Sequence, residues 1–472
     1  MHLFFALLVG PGLAAASSIL FQGGTIIAFD DQTESLQVIR GGSVLVTDDR
    51  IASVSGPEDR ISVGNDTEVV GITGKILAPG QINTHLHTWQ TVFKTLGSNT
   101  SLVDYFGRYG EFAAAGLLSA DDVYISQLAG VLESVNGGVT KILDHAHHTW
   151  SNETSEAGLQ ASVDSGVRVY WGYTFHNITA TTPAFLVQDQ IANFEDLASN
   201  PAFKGSPTEI CIAYDGFGPT PNVAEVQAIM GLAEEFNIPV IQTHSVEGPW
   251  PLQNTPEALE RLNLLNSSIP FVLSHGSFLS ARGHQLLRTH NHYISITPES
   301  EFHYGHTQPT AHLASDQATL GVDTHFTFSA DMLSQTRLWL QTVRATLYKA
   351  VLDRWQIHMH SPMSVNQAFL MSTRHGGLAL RRNDLGIIAP GAKADLAVTV
   401  DGKWLKKGGK LLAEGYYEGR IQNRLIQTSP VLYEVGESWI NGLSVGEVLT
   451  VDSKRGEGNG YGGLFLAVNG TQ

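Results

Sequence analysis

The chain has 472 residues, 42% of them hydrophobic and 15% charged, with 48 Gly and 18 Pro. That composition excludes a disordered, collagen-like or coiled-coil protein and is long enough for about three domains or one large α/β barrel with an appendage. Lys plus Arg number 28 against 45 Asp plus Glu, a net charge of −17. The sign is wrong for gripping phosphate backbones or anionic lipid, so neither nucleic acid nor a membrane is an expected partner; a small-molecule substrate is, and a homo-oligomer is compatible with it. The single cysteine, Cys211, can form neither an internal disulfide nor a cysteine zinc cage, so any metal must be held by the 19 histidines and by carboxylates.

In chain order, residues 1–16 carry an apolar run from Leu3 to Val9, a Pro11-Gly12 break and then Ala14-Ala15-Ala16. This is the pattern of a secretory signal peptide, and the run is too short to span a bilayer. Export would make the N-x-S/T sequons at Asn65, Asn99, Asn152, Asn177, Asn266 and Asn469 glycan acceptors, so the expectation is a secreted glycoprotein. GGTIIAF, GSVLVTDD and RIASVSG follow, short β-branched segments between turn residues that predict a small antiparallel sheet.

From Lys75 the pattern changes to apolar runs that close on polar residues: KILAPGQINTHLH, VTKILDHAHH, VRVYWGYTFH, EICIAYDGFG, IPVIQTHSVE, IPFVLSHGSF, YISITPESE and THFTFSADM. Amphipathic segments such as DDVYISQLAGVLESV and NVAEVQAIMGLAEEF lie between them. Eight buried strands alternating with helices predict a (β/α)8 barrel over residues 76–385. The polar residues gather at the carboxyl ends of the strands, the rim where such barrels carry their chemistry.

His85 and His87 are two apart on the first strand and share a face. His244, His275 and Asp331 stand at the ends of later strands, and barrel closure brings those ends round one pocket. Three imidazoles and one carboxylate from this group suit a divalent ion with a position left for water, zinc first and ferrous iron second; calcium or magnesium would want more oxygens. Glu247, three residues after His244, is the candidate to move protons over that ion, and His275 either to bind a second metal or to orient the attacking hydroxide, the second being preferred for a single-metal site. Gln90, His303, Tyr304 and His306 lie just beyond strands one and seven and are expected to face the substrate.

Taken together, LAPGQINTHLHTWQ, the H-x-x-E of THSVE, SHG and LGIIAPGAKADLAV resemble the amidohydrolase superfamily, and within it the branch of cytosine deaminases, guanine deaminases and s-triazine hydrolases. The resemblance covers most of the chain. It implies metal on His85, His87, His244 and Asp331, Glu247 as proton shuttle, and His275 and Asp331 assisting the water. Binuclear members often bridge their ions with a carboxylated Lys on strand four; EICIAYDGFG has none, which points to one metal. The family's split β-domain implies that residues 17–75 and 386–472 fold together.

This sequence departs from that pattern in places. The usual strand-eight motif is Gly-Thr-Asp-Gly, whereas here the expected strand ends Phe328-Ser329-Ala330-Asp331-Met332. Asp323 competes for the role but opens the apolar run, which would put it at the bottom of the barrel. KADLAV runs straight into TVDGKWLKKGGKLL, which resembles the family's final strand and usually comes several tens of residues later, a shortening expected to weaken the β-domain. PESEFHYGH, at the strand-seven exit, also differs from that of the branch. The expected activity is hydrolysis of a carbon–nitrogen bond in a small cyclic or heteroaromatic substrate, as in deamination. The alternatives are an amide or lactam hydrolase that releases no ammonia, and an inactive secreted barrel that binds metal or ligand.

Overall fold

The computed structural model describes residues 18–307 and 311–398, together with the backbone of residues 399–400 and of short strands at 405–407, 410–412, 424–426, 439–440 and 443–444. The expected signal peptide, the sequon at Asn469 and most of the segment after Val398 lie outside the described residues.

The chain opens with β1 (Ser18–Asp30), β2 (Ser35–Thr47) and β3 (Arg50–Ser55), an antiparallel meander, followed by β4 (Glu68–Gly71) and β5 (Lys75–Pro79), which run parallel to β1. Their apolar sides, including Phe21, Ile26, Val44 and Leu77, form a core with Ile387, Ile388 and Leu396 from the far end of the described chain.

The barrel follows. Its strands are β6 (Gln81–Leu86), β7 (Val139–Ala146), β8 (Arg168–Phe175), β9 (Glu209–Tyr214) and β10 (Ile241–Val246), then, past a short hairpin strand β11 (Leu252–Gln253), β12 (Phe271–Ser277), β13 (Tyr293–Ile296) and β14 (Ala318–Leu320). Neighbouring barrel strands pair in parallel in chain order, so the (β/α)8 reading is correct. β15 (Leu396–Val400) returns to pair antiparallel with β5.

The strands of the barrel are buried on both faces, as parallel strands under a ring of helices must be; every residue of β7 is buried. The helices begin with α1 (Leu102–Arg108), α2 (Glu111–Ala114) and α3 (Ala120–Asn136). Ser101 and Ser119 cap α1 and α3, each in a reciprocal box with an Asp three residues on. α4 (Asn152–Asp164), α5 (Val187–Ser199), α6 (Val223–Glu235), α7 (Pro256–Arg261), α8 (Ala281–His290), α9 (Pro298–Tyr304) and α10 (Met332–Leu352) continue the ring.

Closure between β14 and β6 positions the site. Val322 and Asp323 both donate their backbone N–H to the carbonyl of His85, at 3.0 and 2.9 Å, and Leu86 bridges Asp323 in parallel. The eighth strand is therefore Ala318–Leu320, not the THFTFSADM segment. That segment leaves the barrel: Phe326 packs with Tyr105 and Tyr304. A three-residue strand is a weaker periodic signal than the alternating aromatic and β-branched run beyond it, which is why the run was the more strand-like of the two.

Candidate active site

Asp323 stands at the carboxyl end of the barrel, beside the first strand. One of its oxygens, Oδ1, lies 3.1 Å from Nε2 of His85 and 3.1 Å from Nε2 of His87. His244 Nε2 is 3.3 Å from His87 Nε2. Four potential donor atoms thus converge. His85 is 0% exposed and His87 2%. Asp331, expected in this set, is instead the N-cap of α10: its Oδ1 accepts from the Leu333 N–H at 3.0 Å and its Oδ2 from the Ser334 hydroxyl at 2.8 Å. Asp323 takes its place. The counterpart of the Gly-Thr-Asp-Gly motif is Gly321-Val322-Asp323-Thr324, where a Cβ on Gly321 would come within 2.9 Å of the His85 backbone.

The surrounding bonds fix the imidazoles. His87 Nδ1 lies 3.0 Å from the carbonyl of His145, so Nδ1 carries the proton and Nε2 keeps its lone pair. His244 Nδ1 is 2.8 Å from Asp215 Oδ2, while Asp215 Oδ1 accepts from the His244 backbone N–H at 2.7 Å. His85 Nδ1 is 2.9 Å from the hydroxyl of Ser274. The second oxygen of Asp323 accepts from the buried Ser300 hydroxyl. Carboxylates and hydroxyls behind imidazoles in this way orient the ligands of a metal. Burial pushes His85 down to about 4, with Asp323 opposing, so its ring is neutral at pH 7 and able to coordinate. The imidazole and carboxylate donors fit a divalent ion of the zinc or iron kind.

His275 ends β12 in a left-handed backbone conformation, φ 72°, next to a register shift against β10. Non-glycine residues there cost energy and cluster at functional sites. Its Nδ1 is 2.9 Å from the hydroxyl of Thr297 and 3.6 Å from Glu301 Oε1. Glu301 is fully buried, accepts from the Thr297 N–H at 2.8 Å, and burial raises its carboxyl to about 8. His275 is held from behind and lines the cavity with its other edge.

An open cavity rises above these residues. Tyr105, Phe106, Trp250, Leu252, Tyr304 and His306 form much of its wall, and His147, stacked on His87 with ring centroids 4.0 Å apart, part of its floor. Three carboxylates, Glu111, Asp215 and Asp323, line it, and among the described residues no Lys or Arg does.

Of the residues expected to face substrate, Tyr304 and His306 are in this lining. Gln90 and His303 are not. Gln90 is fully buried behind the wall, donating to the Tyr105 hydroxyl at 3.0 Å and the Tyr109 carbonyl at 2.9 Å, and His303 packs edge-on against Tyr304. Glu247 also stands outside the lining, one residue past Val246, which is within it. Burial, with Glu257 adding to it, lifts the Glu247 carboxyl to about 7. Among the described residues no hydrogen bond holds its buried Oε1. Glu111 and the Trp250 wall went unassigned in the sequence, and Asp323 was set aside there in favour of Asp331. Asp323 could have been found from the GVDT tetrapeptide directly after ATL, whereas Glu111 carries no local signal.

Residues 76–413 match the model of the Amidohydrolase family. A 5-methylthioadenosine/S-adenosylhomocysteine deaminase of Thermococcus kodakarensis is 26% identical over 399 residues, covering 81% of this chain and 85% of that protein. A 5'-deoxyadenosine deaminase of Methanobrevibacter smithii is 24% identical over 367 residues, 75% of this chain and 79% of its own. A zinc-bound adenosine deaminase structure from Xanthomonas campestris superimposes with a TM-score of 0.68 at 17% identity, covering 87% of this chain and 91% of that one, a likeness of fold.

Proposed function

The chain belongs to the amidohydrolase family and is an enzyme of carbon–nitrogen bonds other than peptide bonds; from that premise we propose that it deaminates an adenine nucleoside. Water adds to the ring carbon that bears the exocyclic amino group, a C–O bond forms, the C–N bond breaks, and ammonia leaves. The observation that carries the reading is the convergence of His85, His87 and His244 Nε2 with Asp323 Oδ1 under an aromatic-walled cavity. The named activities of the two relatives support the substrate class.

Under this reading His85, His87, His244 and Asp323 hold one divalent ion, zinc or ferrous iron. Such an ion, when bound, lowers the pKa of water from about 15.7 towards about 7. The protein's own groups do the rest. Asp323 accepts a proton from the attacking water, and His275, fixed by Thr297, donates to the oxygen as charge develops on the ring. Glu247 carries the proton to the departing nitrogen: burial holds it near neutral, it follows the cavity-lining Val246 directly, and its buried Oε1 has no hydrogen-bond partner among the described residues. Tyr105, Tyr304 and Trp250 flank the ring. Three acids and no described Lys or Arg in the wall favour an uncharged substrate over a phosphorylated one.

The test is ammonia release by the metal-loaded protein across adenosine, 5'-methylthioadenosine, 5'-deoxyadenosine, adenosine monophosphate, guanine and triazines. The uncharged adenine nucleosides should lead. Release from guanine or a triazine alone would replace the substrate class and leave the reaction type.

Export and glycosylation belong to the same proposal. The asparagines at 65, 99, 152, 177 and 266 are all exposed, as glycan acceptors must be. Amino-terminal sequencing of secreted protein should begin near Ser17; cytosolic protein retaining Met1 would defeat it.

A further inference from the structure

His145, the last residue but one of strand β7, is 1% exposed, and neither of its ring nitrogens has a hydrogen-bond partner among the described residues. A neutral imidazole always carries one N–H and one lone pair, and leaving them buried and unpaired is unfavourable, since each has given up its water without gaining a partner. Being unpartnered does not by itself mark a ligand, since His148 is so too, but a core histidine can avoid that cost. His292 is paired through both nitrogens, to the Phe271 N–H at 3.1 Å and the Leu265 carbonyl at 2.9 Å.

His145 faces the other ligands. Its ring centroid is 4.3 Å from that of His244, 5.3 Å from His87 and 6.0 Å from His85, and a ligand atom of His145 lies within 4.8 Å of one on His85 and one on His244. Its Nε2 is 3.9 Å from Asp215 Oδ2, the oxygen that supports His244. Its backbone carbonyl takes the proton of His87 Nδ1. The residue is therefore tied to two members of the ligand set while its own lone pair has no partner. A cation at the convergence point supplies one.

We propose that His145 is a further ligand of the metal centre, so that the ion is held by four imidazoles and the Asp323 carboxylate. This rests on the metal centre read above. Structural zinc is content with four donors and catalytic zinc with three plus water. Five protein donors and a free position favour a metal that takes a higher coordination number, ferrous iron or cobalt over zinc.

The experiment strips the full-length protein with chelator and titrates it with Zn2+ and with Co2+, following bound metal and the cobalt absorption spectrum. His145→Ala and His145→Gln should weaken metal binding by about 10- to 100-fold, the range for losing a supporting group of a metal site or more. They should also intensify the cobalt bands as the coordination number falls. His148→Leu is the control for burial alone: His148 is equally buried and equally unpartnered, but packs against Trp171 at 5.7 Å between centroids, outside the ligand group. It should bind metal like the wild type. Unchanged affinity and spectrum in both His145 variants would overturn the proposal, as would an equal loss in His148→Leu. A wild-type protein that takes up no metal would overturn the centre itself, an outcome distinguishable from either.

Discussion

Exchanging the two aspartates separates the geometry of the barrel from its sequence pattern. Asp323 is the one carboxylate among the four converging donors, and a unit positive charge about 4 Å from a carboxylate oxygen is stabilised by about 4 kcal/mol at an effective dielectric near 20. Asp323→Asn keeps the size of the side chain and an oxygen for the Ser300 contact but removes that charge, so losing half of the interaction, about 2 kcal/mol, should weaken metal binding roughly 30-fold. The proton acceptor goes with it, and turnover should fall further than metal content. Asp331→Asn preserves the cap on α10, and Asp331→Ala loses it at a cost of about 1 kcal/mol, a shift of about 1 °C in Tm for a chain of this length, with metal binding intact. The assay is metal content after dialysis against a graded chelator series, with thermal unfolding alongside. Metal loss in Asp331→Asn with retention in Asp323→Asn would refute the assignment.

Glu247→Gln should lower kcat by about 10²- to 10⁴-fold with metal retained, while Glu111→Gln should act mainly on KM; the reverse pattern in steady-state kinetics would transfer the proton role to the acid already in the cavity wall. Because burial keeps Glu301 protonated up to about 8, Glu301→Gln should leave stability at pH 7 nearly unchanged, whereas Glu301→Ala should cost about 1–3 kcal/mol by stranding the Thr297 N–H and loosening His275. Denaturant unfolding decides it, and equal loss in both variants would contradict a neutral carboxyl. Lys141, buried in β7 with its Nζ 3.0 Å above the Tyr170 ring, is pushed down to about 7 by burial. Its folded pKa lies below the unfolded value of 10.5, so the unfolded chain binds the extra proton between about 7 and 10.5 and stability rises with pH across that window. The wild type should therefore gain on Lys141→Met by on the order of 1 kcal/mol per pH unit from pH 7 to 10; a flat difference would place the charge of Lys141 in a better solvated state.

How much of this was legible depended on the length of the local signal. The alternation of apolar runs with amphipathic segments revealed the barrel because β7, β8 and β10 are long enough to show continuous burial. His85 and His87 were found because their spacing is that of one strand face, with His85 in β6 and His87 just past its end, and His244 because it lies near the carboxyl end of a strand. The eighth strand was lost because three residues, Ala318 to Leu320, are enough for a strand held by its neighbours, while the aromatic segment after it imitates one. That single misplacement carried the metal carboxylate to Asp331 and sent Asp323 to the wrong end of the barrel. Glu111 opens the short helix α2 and Trp250 sits between β10 and β11, and their approach to the pocket is a matter of tertiary packing that no periodicity encodes. His145 was visible in the sequence as part of a polar strand end; its missing partners were not, since pairing is a property of the folded neighbourhood.

The central claim is a hydrolytic deaminase working from the His85, His87, His244 and Asp323 centre, and ammonia release tests it most directly. Protein loaded with zinc or ferrous iron should convert 5'-methylthioadenosine or 5'-deoxyadenosine to the 6-oxo nucleoside with one ammonia per turnover. The chelated protein and Asp323→Asn should release little, with metal re-addition restoring the former. A metal-loaded protein that releases no ammonia from any purine, pyrimidine or triazine offered, or an Asp323→Asn variant of undiminished rate, would contradict it.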